Sequence, residues 1–66
     1  MKTIIEIKWW TVENEDPKPE HLNNLTVDAI DHIHPLIQEG YTSGNLSTEV
    51  DGWDYMGWWT LKHEDS

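Results

Sequence analysis

Leu46-Ser47-Thr48-Glu49-Val50-Asp51-Gly52-Trp53-Asp54-Tyr55-Met56-Gly57-Trp58-Trp59-Thr60-Leu61 is the stretch that decides the fold. Leu46, Thr48 and Val50 alternate with Ser47 and Glu49, which is the period of a strand with one buried face. Asp51-Gly52 follows, a pair that tolerates the positive φ angles a type I′ turn demands at both central positions. A further strand then runs from roughly Trp53 to His63. A competing register places the turn at Asp54 to Gly57. Either register makes an antiparallel hairpin. Just before it, Tyr41-Thr42-Ser43-Gly44-Asn45 reads as a tight connection with Gly44 at a turn position. Residues 63–66, which end in Glu64-Asp65-Ser66, read as a frayed acidic tail.

Upstream, Lys2 to Val12 reads as a first strand. Ile5, Ile7 and Trp9 occupy one face, while Ile4, Glu6, Lys8 and Trp10 occupy the other. The charges mark the second face as the wetter one. Glu13-Asn14-Glu15-Asp16-Pro17-Lys18-Pro19 is a loop, with Pro19 suited to the first helical position and Glu20 to the positive end of the helix dipole. From about Pro19 to Glu39 the spacing turns helical. Leu22, Leu25, Ala29, Ile33 and Ile37 form a stripe flanked by Ile30 and Leu36, and polar residues fill the opposite side. Thr26 is placed to cap the main helix after a short initial turn. Pro35 removes one helical hydrogen bond and predicts a kink without a stop, because the stripe stays in phase through Ile37. Gly40 supplies the left-handed residue that ends the helix.

Strand, helix, strand, strand predicts an α+β fold of two layers. It is a three-stranded sheet in the order 1-3-2, with one helix packed on one face and a right-handed crossover between the first two strands. The first and third strands become neighbours, which is expected to bring Trp9-Trp10 and Trp58-Trp59 together across the sheet. Successive residues of a strand point to opposite faces, so each Trp-Trp dipeptide sends one indole to either side. Two layers leave one sheet face uncovered. Trp9 and Trp59 belong by alternation to the core, and Trp10 and Trp58 to the open face beside Lys8, Thr60 and Lys62.

The chain of 66 residues forms one small domain and contains no cysteine, so neither disulfides nor a cysteine zinc site reinforce it. Its five Trp and two Tyr are the available replacement, each Trp removing roughly 150–250 Å² from water when buried. Thirteen acidic residues against four lysines and no arginine give a formal charge of −9. That balance disfavours direct nucleic-acid binding, which needs a basic patch, and association with anionic lipid. Encounters with basic proteins are accelerated, and the same charge keeps a Trp-rich protein in solution. No apolar run is long enough for a signal peptide or membrane span, and the cysteine-free composition fits the cytoplasm. Asn24-Leu25-Thr26 and Asn45-Leu46-Ser47 match the glycosylation triplet, which carries no meaning without secretion.

From Ile33 through Leu61 the chain resembles a group of small, largely uncharacterised bacterial and phage-encoded proteins. The resemblance lies in Glu39-Gly40-Tyr41-Thr42-Ser43-Gly44-Asn45-Leu46 and in Gly57-Trp58-Trp59-Thr60-Leu61. In that group an amphipathic helix enters a Gly-Tyr-Thr-Ser-Gly turn and a Gly-Trp-rich strand closes the chain. The resemblance implies the fold and no mechanism. Pro35 departs from it, since the helix of the group usually runs uninterrupted there.

No residue pattern specifies chemistry. His32 and His34 diverge by about 200° on a helix and cannot share an ion. A metal would need His21 or His63 as well, at no diagnostic spacing, so no metal or cofactor is expected. Ser43, Ser47 and Ser66 lie in a turn, a strand and a tail with no nucleophile elbow, and Gly40 to Gly44 carries no lysine for a phosphate loop. No catalytic residue is assigned. The expectation is a non-enzymatic protein-interaction module that docks through Trp10 and Trp58, with Lys8 alongside and with Trp53 and Tyr55 extending the patch. Its partner is a second copy or a basic host protein. The alternative is a phage-type inhibitor whose carboxylates imitate a nucleic-acid backbone and block a basic groove.

Overall fold

The computed structural model describes residues 1–65. Strand β1 spans Lys2–Thr11, a 3₁₀ turn spans Pro19–His21, helix α1 spans Leu22–Gln38, and strands β2 and β3 span Ser43–Val50 and Trp53–Glu64. The sheet order is β1-β3-β2, with β3 antiparallel to both neighbours. This is the α+β arrangement expected from the hairpin and the helical stripe.

Asp51 and Gly52 take φ of 51° and 82°, which settles the hairpin turn there and rejects the register centred on Asp54 to Gly57. Helix α1 runs without a break through Pro35. The carbonyl left without a partner there belongs to Asp31, an exposed position where water can serve it. Thr26 does not cap the helix; it sits within it and donates through Oγ1 to the Leu22 carbonyl at 2.8 Å. At the other end Gly40, at φ 101°, donates to the Ile37 carbonyl and Tyr41 to that of Leu36. This is a Schellman closure.

Leu25, Ala29 and Ile33 are the buried part of the helical stripe. Leu22 and Ile30 are exposed, because the sheet is too narrow to reach the flanks of the helix. Ala29 and Ile33 meet Leu46 and Trp59, while Leu25 meets Val50 and Tyr55, and Trp9 touches both groups. Trp59 is wholly buried. The indole N–H groups of Trp9 and Trp59 are buried with no acceptor among the described residues. Each orphan donor costs about 1–3 kcal/mol. Burying an indole of roughly 200 Å² at about 25 cal/mol per Å² yields about 5 kcal/mol, so packing wins.

Three further details depart from the sequence reading. Gly44 is a strand residue and not part of a turn: β2 begins at Ser43. A Cβ on Gly44 would stand 2.9 Å from Trp59 Nε1, so the position is glycine because the indole lies against its backbone. The Trp-Trp dipeptides are also not opposite one another. Trp9 faces Gly57, Trp10 faces Met56, Trp58 faces Lys8 and Trp59 faces Ile7, an offset of two residues. The tail expected from residue 63 is ordered as strand through Glu64, with Thr3 Oγ1 and His63 Nδ1 2.8 Å apart, while Ser66 lies outside the described residues.

Candidate functional site

Helix α1 covers the sheet face that carries Ile7, Trp9, Leu46 and Trp59. No element among the described residues covers the other face. Strand parity and the register order that face in rows: Glu6, Thr60 and Ser43; then Lys8, Trp58 and Asn45; then Trp10, Met56 and Ser47; then Asp54 and Glu49. Trp58 and Met56 are 39% and 41% exposed, and Trp10 is half-buried. Together they form a contiguous apolar strip on adjacent rows.

Lys8 belongs to the row of Trp58, but its ammonium reaches Glu6 at 3.4 Å in an exposed pair of little energetic weight. Trp10 and Trp58 are diagonal neighbours separated by one row, so Met56, not the second indole, stands directly across from Trp10. At the end of the strip Glu49 lies directly opposite Asp54. Like charges in that relation destabilise a sheet.

Tyr55 and Trp53 are not part of this strip. Both have the parity of Trp59 and belong to the face that carries the helix. Tyr55 is 1% exposed and packs with Leu25 and Val50, so its expected place in a docking patch is corrected to the core. Trp53 is 43% exposed because it lies at the end of the sheet, where Lys18, from the loop between β1 and the 3₁₀ turn, sets its ammonium 4.2 Å from the ring centroid.

The polar constellation that sequence reasoning missed is His21, Tyr55 and Asp51. His21 Nδ1 is 2.6 Å from the Tyr55 hydroxyl, and Nε2 is 3.3 Å from Asp51 Oδ2. The rings meet edge to face at 5.7 Å. The Lys18 backbone N–H donates to the same hydroxyl at 3.4 Å. One assignment satisfies every group: Lys18 N–H donates to Tyr55, the Tyr55 O–H donates to Nδ1, and Nε2–H faces Asp51. This chain ties the 3₁₀ turn to the hairpin. Both His21 and the Tyr55 hydroxyl are enclosed and already engaged, so the chain acts as a clasp. Tyr55→Phe should lower stability by about 1–3 kcal/mol, since it strands a buried Nδ1 and a backbone donor. The check is a fall in urea midpoint at unchanged slope. Alternation could have placed Tyr55, which sits four residues before Trp59; nothing in the spacing of His21 reveals its partner.

Among the described residues no group of three or more His, Cys, Asp or Glu side chains is placed to hold a metal ion, and no helix is long and apolar enough to cross a membrane. Comparison with family models, with curated proteins and with solved structures finds no match to this chain.

Proposed function

We propose that this chain is a non-enzymatic protein-interaction module whose uncovered sheet face docks a cationic protein surface. The carrying observation is the strip of Trp58, Met56 and Trp10 on adjacent rows of a face that no element among the described residues covers, bounded by the opposed carboxylates of Glu49 and Asp54. Indoles supply large contact area with few rotatable bonds and dominate binding energy where they are enclosed by a partner. Lys or Arg from the partner would relieve the repulsion between Glu49 and Asp54, which the free protein bears as a stability cost. A second copy is the poorer occupant, because each copy brings a formal charge of −9. The cysteine-free chain suits work in a reducing cytoplasm.

The test uses a synthetic amphipathic peptide of alternating lysine and leucine, titrated calorimetrically against wild type and the Trp10→Ala, Trp58→Ala double variant. Wild type should bind with an affinity that falls steeply with salt, and the double variant should bind at least about tenfold more weakly at unchanged thermal stability. Equal binding by both proteins overturns the reading. If the double variant binds as tightly as wild type and the affinity still falls steeply with salt, charge mimicry of nucleic acid replaces it. A stable dimer in light scattering, lost with Trp58→Ala, would make a second copy the occupant instead.

A further inference from the structure

Strand β1 ends the sheet on one side, since β3 is its only neighbour. One hydrogen bond shows which of its backbone groups are free. Leu61 N–H donates to the Thr42 carbonyl at 2.7 Å, so odd-numbered residues of β3 turn their backbone groups toward β2 and even-numbered ones toward β1. Through the register, Ile4, Glu6, Lys8 and Trp10 bond to β3, while Thr3, Ile5, Ile7 and Trp9 aim N–H and C=O out of the sheet. Thr11 has the same parity and behaves accordingly. Its N–H donates to the Glu15 carbonyl at 2.9 Å, and its carbonyl accepts from Asn14 N–H at 2.8 Å. The loop thus seals the edge at Thr11. From Thr3 to Trp9 the outward backbone groups have no partner among the described residues.

Folded proteins usually blunt such an edge with a bulge, a proline or a short strand. Strand β1 is ten residues long, contains neither proline nor glycine, and pairs one-to-one with β3 throughout. Ile5 is 48% exposed although it lies on the helix-bearing face, because α1 leans toward β2, where Asp28 accepts from Thr48 Oγ1 at 3.0 Å. The charge is also unlike the rest of the surface. Strand β1 holds two lysines against one glutamate, and Lys62 stands opposite Ile4, so three of the four lysines of a −9 chain gather at this edge. A lysine-rich strand gains nothing here. A strand with Glu and Lys two residues apart does, and β1 is itself such a strand.

We infer that the free edge of β1 pairs with the same edge of a second copy, antiparallel and with the two-fold axis at Ile7. In that register Ile7 faces Ile7 of the other copy and Ile5 faces Trp9, each pair exchanging backbone hydrogen bonds through the outward groups. Glu6 then stands opposite Lys8 of the second copy, and Lys8 opposite its Glu6, at the closely spaced non-hydrogen-bonded positions. The exposed pair that Lys8 and Glu6 make within one copy, at 3.4 Å, exchanges readily for these two. Other centres fit worse. An axis at Glu6 or Lys8 opposes like charges, an axis at Ile5 opposes Lys2 and Lys8, and an axis at Ile4 leaves Ile7 and Trp9 unpaired. The two-fold runs normal to the sheet, so both helices lie on one side and both open faces on the other. The pairing therefore leaves the docking strip free and does not rest on the docking reading.

The experiment is sedimentation equilibrium from micromolar to millimolar protein at physiological salt, where the repulsion between two acidic copies is screened beyond about 8 Å. The mass should rise from 7.8 kDa toward twice that value and stop there. A monomer at every concentration, or a mass that grows past the dimer, overturns the inference. N-methylation of Ile5 by chemical synthesis removes one outward N–H and keeps the side chain; it should abolish the dimer at an unchanged urea midpoint, and a folded N-methyl chain that still dimerises overturns the edge. Glu6→Lys and Lys8→Glu should each weaken self-association by at least about fivefold, since the two-fold counts every contact twice. Mixing the two variants should restore a heterodimer, because both contacts are then between opposite charges. Glu6→Lys also lowers the net charge, so an effect of overall repulsion would strengthen its self-association, and that result, or no gain on mixing, overturns the register. Trp58→Ala should dimerise as wild type; loss of the dimer there moves the contact to the open face and overturns the edge. Lysine–leucine peptide binding by the monomeric N-methyl chain tests the docking reading separately.

Discussion

Gly57→Ala should remove about 1–3 kcal/mol of stability or more, a large share of what a domain of this size holds. A Cβ at this position would strike the Lys8 carbonyl and come within 2.8 Å of the Trp9 ring. Gly57 belongs to the central strand, paired with Trp9 on one side and Leu46 on the other, so the backbone cannot retreat from either neighbour. Trp9 cannot turn away, because it packs against both halves of the core. Overpacking a rigid site costs about 1–3 kcal/mol and occasionally more. A domain of this size holds roughly 3–10 kcal/mol in total, at about 0.05–0.15 kcal/mol per residue. The measurement is the urea midpoint followed by Trp fluorescence, and a variant as stable as wild type would refute the close packing of Trp9 over Gly57. Gly52→Ala is the informative companion. Nothing lies within 4 Å of a Cβ there, and the only objection is a φ of 82°. Its loss should be nearer 1 kcal/mol, a conformational cost without a steric one.

The neighbouring residues Trp58 and Trp59 should respond in opposite ways to alanine. Trp59 is wholly buried against Ala29, Ile33 and Leu46, and its removal leaves a cavity in a core with few other large side chains. Phe or Trp truncations of this kind cost about 3–5 kcal/mol, a large part of the stability of so small a domain. Trp58 projects from the uncovered face, so Trp58→Ala should change stability by less than about 1 kcal/mol. Its effect should appear as weaker capture of the lysine–leucine peptide. Circular dichroism melts and the calorimetric titration separate the outcomes. A Trp58→Ala variant that melts as early as Trp59→Ala would show that the open face is a second core, and would remove the basis for docking.

How much of this was legible in the sequence depended on the range of the forces concerned. The turn at Asp51-Gly52, the helical stripe ending at Gly40 and the assignment of Trp59 and Trp58 to opposite faces followed from local backbone preference and period. The same period puts Tyr55 in the core, since it shares parity with Trp59. The partnership of His21 with Tyr55 spans 34 residues and was invisible, because it depends on where the 3₁₀ turn lands over the hairpin. Gly44 looked like a turn residue for a similar reason: its need for glycine comes from an indole that arrives from another strand.

Local order, the faces of each strand and the presence of one uncovered sheet face were therefore determined by the sequence alone, since each rests on interactions between residues close in the chain. The tertiary structure alone decided the two-residue offset of the tryptophan pairs, the glycines that receive them and the His21–Tyr55 clasp. Those features come from register and close packing between distant segments. A shift of one or two residues in that register would relocate every contact while leaving the local patterns unchanged.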